Sequence, residues 1–185
     1  MFLSERLADA VALLAREAGF APRHNAPVTC LGEARDGSTH LYKPTDILMS
    51  GDNFQLVCVD VTVTSPVNPS SAGKPEGKLM GRAVAGAARE KIKQHGPGCA
   101  ADQKEFVPFS ADVCGFLDQD AVSLLDRFAF QIGERSGRGK EDALRACRRR
   151  ISCAIQAAVG LQLAQLFRLP RGEWEDVGAS LLRGG

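Results

Sequence analysis

One run constrains this chain more than any other: Leu56-Val57-Cys58-Val59-Asp60-Val61-Thr62-Val63. Its β-branched residues favour a pleated strand, and its near-continuous apolar character marks a strand covered on both faces. Asp60 sits in the middle of it. A carboxylate there is costly unless it is paired or holds a metal. Both readings stay open, a salt bridge to an arginine or a bound cation. A second acid, Asp46, lies in Pro44-Thr45-Asp46-Ile47-Leu48-Met49, and the turn cluster Ser50-Gly51-Asp52-Asn53 separates the two runs. Such a cluster between β runs predicts a hairpin. Its strands are antiparallel neighbours, so Asp46 and Asp60 come close, and two carboxylates on adjacent strands can hold one divalent cation. For Asp46 alone the competing role is to cap backbone N–H groups at a strand end.

The rest of the chain supplies helices for that hairpin. Leu7, Val11, Leu14 and Ala18 recur at helical spacing after Ser4, a candidate N-cap, and Gly19 closes the helix. Glu5 and Asp9 lie one turn apart on it, either solvated or facing a site. A short strand is expected around 28–31, and His40 to Met49 reads as a strand approach with Pro44 at its start. Ser65 to Lys78, rich in Pro, Ser, Gly and Lys, is an exposed loop. A helix is expected over about 77–95, ended by Gly96-Pro97-Gly98. On its wheel Val84, Ala88, Lys91 and His95 share a face, and Lys93 is nearly opposite. Glu105 to Ser110 reads as a strand at an edge or bulge, because of Pro108. An amphipathic helix follows over 120–132, then a link over 133–140.

The last expected element runs from about Glu141 to Leu169, with an apolar face on Leu144, Cys147, Ile151, Ile155, Ala158, Leu161 and Leu166. Arg145, Arg148, Arg149 and Arg150 cluster near its start, either as a phosphate-contacting patch or as the solvated end of a helix. Pro170 stops it. The order of elements implies an α/β fold, a small mixed sheet flanked by helices with a long C-terminal helix. It forms one domain over 1–169, followed by a loosely held tail over 170–185.

At 185 residues the chain can bury a real core, and 44% hydrophobic with 24% charged residues is a globular composition. A formal net charge of +1 gives no whole-chain argument for nucleic acid, so any such contact is a local patch. Six cysteines without a paired C-x-x-C spacing point to free thiols and an intracellular protein, not to a disulfide framework or a zinc site. Charges through the first helix argue against a signal peptide, and no apolar run reaches the length of a membrane span. His24, His40 and His95 show no ligand spacing and read as incidental.

Pro44-x-Asp46, a turn, Asp60-Val61-Thr62 on an apolar strand and then a lysine-bearing helix resemble the restriction-endonuclease-like, or PD-(D/E)XK, nuclease superfamily. More narrowly, Val59 to Pro66, Phe106-Val107-Pro108 and Arg149-Arg150-Ile151-Ser152 look like the C-terminal domain of reverse-transcriptase-like proteins of retroelements. The likeness spans roughly Leu7 to Leu163. It implies a restriction-endonuclease-like fold and Mg²⁺, or Mn²⁺, held by Asp46 and Asp60 with the Val61 carbonyl as a third donor. Phosphodiester hydrolysis needs such a hard, oxygen-bound cation.

The superfamily's lysine, two residues after the second acid, is Thr62 here. A lysine on the neighbouring helix is a variation the superfamily uses, and Lys91 is then the residue to supply the charge, with Glu90 and Glu5 as further candidates for the metal shell. The expectation is a mobile-element-derived endonuclease acting on DNA, with Asp46, Asp60 and Lys91 catalytic. Its rival is a nuclease-fold module that has lost the chemistry and serves nucleic-acid binding or assembly. A third class is a helical partner-binding domain, dimeric through the C-terminal helix.

Overall fold

A computed structural model describes residues 3–25, 30–33, 39–42, 45–50, 55–65 and 81–166. At its centre the apolar run forms the strand β5 (Leu56–Thr64). Around it, in chain order, are α1 (Leu3–Glu17), β1 (Ala21–His24), β2 (Cys30–Glu33), β3 (Thr39–Tyr42), β4 (Ile47–Ser50), α2 (Arg82–Ala101), β6 (Glu105–Asp112), α3 (Gln119–Ser136) and α4 (Lys140–Leu166). The main sheet has the order β1-β4-β5-β6, antiparallel except for the parallel pair β5–β6, and β2 pairs with β3 in a separate two-stranded sheet. Among the described residues this is an α/β fold with a four-stranded mixed sheet and four helices, the last of them long. Pro108 lies on β6, at the sheet edge, where its missing N–H costs no ladder bond.

Alternation along β5 divides the interior into two layers. Val57, Val59, Val61 and Val63 point to one face and join Ile47, Met49, Val107, Phe109 and Ala111 in the main core. That core is closed by Leu7, Val11 and Leu14 of α1, Leu124, Leu125 and Phe128 of α3, and Leu144, Cys147, Ile151 and Ile155 of α4. Cys58, Asp60, Thr62 and Thr64 therefore point to the opposite face, where α2 covers β5 and β6 and Cys58 packs with Cys99, Leu48 and Phe106. Ala143, Leu144, Cys147, Ile151 and Ile155 of α4 pack into the main core, Ala158 is buried, and Leu163 is exposed. None of the described cysteines, Cys58, Cys99, Cys114, Cys147 and Cys153, forms a disulfide. Among the described residues no helix is long and apolar enough to cross a membrane.

Helix ends follow local chemistry where the chain is exposed and packing where it is not. α1 ends in a Schellman arrangement: Gly19, at φ +92°, donates to the Arg16 carbonyl and Phe20 to that of Ala15. Asp118 caps α3, accepting from the N–H groups of Asp120 and Ala121 and also from Ser110 on β6.

Two boundaries differ from the sequence expectation. α2 does not stop at Gly96-Pro97-Gly98 but runs to Ala101, with Pro97 inside it. Cys99 anchors that last stretch in the core beneath α2, and the Lys104 N–H closes onto the Cys99 carbonyl. α3 passes through Gly133 to Ser136, because Gly133 is a packing glycine: a Cβ there would sit 3.1 Å from the Arg138 carbonyl oxygen. Pro44, the turn after Ser50, most of the Pro/Ser/Gly/Lys-rich loop and the tail over 170–185 lie outside the described residues.

Candidate functional site

The hairpin register sets the site. Ile47 pairs with Val59 and Leu48 with Cys58, so one step beyond the last pair Asp46 stands opposite Asp60. The Thr45 hydroxyl holds this end in place, 2.6 Å from the Val59 carbonyl and accepting the Ile47 N–H at 3.1 Å. Asp46 then reaches across the gap, where its Oδ2 accepts the Val61 N–H at 2.9 Å. A strand residue presents its N–H and C=O to the same neighbour. The Val61 carbonyl therefore looks to the same side as its N–H, onto the ground that Asp46 occupies. β1 extends the frame, with the Asn25 N–H donating to the Asp46 carbonyl.

Asp60 projects from the other direction, into the layer under α2, and is 6% exposed. Its Oδ2 lies 2.8 Å from Lys91 Nζ and 3.5 Å from His95 Nε2. Lys91 and His95 are one helical turn apart on the face that also buries Val84 and Ala88, as the wheel predicts. Lys93 and Glu90 are exposed on the same helix. Burial pushes the Asp60 carboxyl above its ordinary value, the Lys91 hydrogen bond and charge pull it down, the neighbouring Asp46 pushes it up again, and His95 pulls it down. Burial likewise lowers His95, against the upward pull of the Asp60 charge, and the Lys91 charge lowers it further.

The donor set suits a hard cation. Asp46, Asp60 and the Val61 carbonyl offer oxygen alone, and Mg²⁺ is typically bound through one or two carboxylates with waters and phosphates completing its shell. Among the described residues no group of three His, Cys, Asp or Glu side chains could hold a metal. Asp46 also opens onto a cleft of about 260 Å³ between α1 and the β1–β4 edge, lined by Ser4, Glu5, Ala8, Asp9, His24 and Asn25. Glu5 and Asp9 thus face this cleft, and His24 Nε2 lies 3.8 Å from Asp9 Oδ1. Arg145, Arg148, Arg149 and Arg150 are exposed or partly exposed on α4, two of them paired, Arg145 with Asp142 and Arg150 with Glu17.

The structure brings Lys91 to Asp60 and sets Asp46 against the Val61 N–H, and beside Lys91 it places His95, which the sequence reading takes as incidental. The signal was present in the helical wheel, which puts His95 on the Lys91 face. A search for metal-ligand spacing passes over it, because its partner is a carboxylate on a strand. The arginine partner considered for Asp60 is not what the fold supplies; Lys91 and His95 take that place. No protein-family model, curated protein or solved structure matches this chain.

Proposed function

We propose that this chain is a restriction-endonuclease-like domain that hydrolyses DNA phosphodiester bonds with Mg²⁺ or Mn²⁺, and that it derives from a mobile element. The observation that carries the reading is the Lys91 ammonium 2.8 Å from Asp60 Oδ2, delivered from α2 to a strand whose own lysine position is Thr62. A cation held by Asp46, Asp60 and the Val61 carbonyl supplies positive charge to phosphate oxygens and acidity to water. Asp46 and Asp60 fix the two sides of that site, one from the hairpin end and one from the covered strand. Lys91 supplies the ammonium that offsets negative charge as water adds to phosphorus and the sugar oxygen leaves. The buried layer under α2 lowers the local dielectric and strengthens that interaction.

The test is cleavage of plasmid and single-stranded DNA with Mg²⁺ or Mn²⁺, wild type beside Asp60→Asn and Lys91→Ala. Cleavage by the wild type should vanish in Asp60→Asn and fall by about 10²–10³-fold in Lys91→Ala, the range for removing one charge-stabilising donor. Thr62 favours one other reading, a nuclease fold retained for binding alone. A folded wild type that binds DNA but leaves it intact with both cations would select that reading.

A further inference from the structure

The nuclease reading uses Asp60 and Lys91 but leaves His95 without a role. His95 is placed with care for a residue of no consequence. Its side chain is 9% exposed, its ring lies against Phe106 with centroids 5.8 Å apart, and its Nε2 stands 3.5 Å from the same Asp60 oxygen that Lys91 approaches. Two side chains from one helix face thus converge on the same Asp60 oxygen, Oδ2.

A carboxylate on a single Cβ–Cγ bond rotates freely about that bond, so an ammonium on a flexible stem sets its distance better than its plane. A ring wedged between α2 and β6 sets the plane. We infer that His95 is a positioning residue for the cation site, donating from Nε2 to Asp60 Oδ2 so that Oδ1 is presented to the divalent ion. The inference rests on the metal-site reading above, and extends to the outer shell of that site a histidine that touches neither cation nor substrate. Partners that orient a ligating carboxylate typically govern about 10–100-fold in metal affinity.

The experiment measures binding of Mn²⁺ alone to the full chain by calorimetry, with DNA cleavage as a second readout. His95→Gln keeps an N–H donor near the Nε2 position, whereas His95→Met has a similar length and no donor. Mn²⁺ affinity should fall by about 10–100-fold in His95→Met and return to within about threefold of wild type in His95→Gln, at matched thermal stability. A purely structural role would make the two variants alike in affinity. If His95→Met fails to fold cooperatively, His95→Phe, which retains a ring against Phe106, takes its place in the comparison.

Equal Mn²⁺ affinity in wild type, Gln and Met variants overturns the positioning role while leaving the nuclease intact if cleavage persists. His95-dependent Mn²⁺ binding without any cleavage upholds the positioning role and removes the nuclease. A wild type that binds no Mn²⁺ overturns both.

Discussion

Lys91→Met removes an ammonium and keeps an unbranched stem of similar length, so it isolates the charge. It leaves a carboxylate that is 6% exposed with a histidine 3.5 Å away. A hydrogen bond to a charged group contributes about 1.5–3 kcal/mol. The Lys91 side chain is 30% exposed, so water screens part of the pair, and the expected loss is about 2 kcal/mol. For a chain of this size that is about 4–8 °C in Tm.

Asp60→Asn should behave differently. Burial is the largest influence on this carboxyl, so removing its charge should cost less than about 0.5 kcal/mol or even stabilise. In the Asp60→Asn background Lys91→Met then has little left to break, which predicts a coupling of about 2 kcal/mol in the double-mutant cycle, with the ammonium's lost packing cancelling out.

The pH dependence follows from the direction of the Asp60 shift. Its folded pKa is raised, so its contribution to stability is full below the unfolded value and is lost as pH rises through the folded value. Lys91→Met raises the folded value further. The deficit of that variant should therefore be largest near pH 8 and shrink toward pH 4. Urea unfolding followed by circular dichroism, at pH 8 and pH 5, measures all four proteins. Additivity within about 0.3–0.5 kcal/mol would refute the buried pair.

Two further outcomes bear on how the site is held and used. Thr62 lies on the Asp60 face, two residues along β5, where a nuclease of the proposed kind would carry its lysine; Thr62→Lys should then restore about a tenth or more of wild-type DNA cleavage to the Lys91→Ala protein, and failure despite normal folding would show that the ammonium must come from α2. Thr45→Val deprives the Ile47 N–H and the Val59 carbonyl of their buried side-chain partner, and urea unfolding should show a loss of about 1–3 kcal/mol.

The hairpin was legible from sequence because period and punctuation agree there: β-branched residues on both sides of a turn cluster leave one register that keeps Ile47, Met49, Val57 and Val59 inside. That register is also what sets Asp46 opposite Asp60. The helical wheel gave Lys91 its direction, since Val84 and Ala88 had to be buried. Boundaries were misread where glycine and proline serve packing instead of termination. Gly133 makes room for the chain at Arg138, and Pro97 is tolerated because Cys99 anchors the turn beyond it. His95 was missed for a related reason. The carboxylate it approaches is on a strand far away in sequence, and no local pattern around residue 95 reports that contact.

A cation at the proposed site would offset free energy that the fold gives up to bury Asp60. Apolar side chains of similar volume would hold α2 against β5 at lower cost than a buried carboxylate does. Instead β5 buries Asp60, and the hairpin register sets a second carboxylate near enough to raise it further. Lys91 compensates from the α2 side only. The Asp46 charge adds to the cost of ionising Asp60, and a divalent ion bound to both would offset it.

Binding that prefers the folded state must then stabilise it. At ten times its Kd the ion adds about 1.4 kcal/mol, or roughly 3–6 °C in Tm. Thermal unfolding in Mg²⁺ or Mn²⁺ against EDTA-treated protein should show this rise in the wild type and in Lys91→Met, but not in Asp46→Asn or Asp60→Asn. A shift of equal size in all four proteins would mean that the ion binds elsewhere, and the paired carboxylates would then be a cost without a ligand.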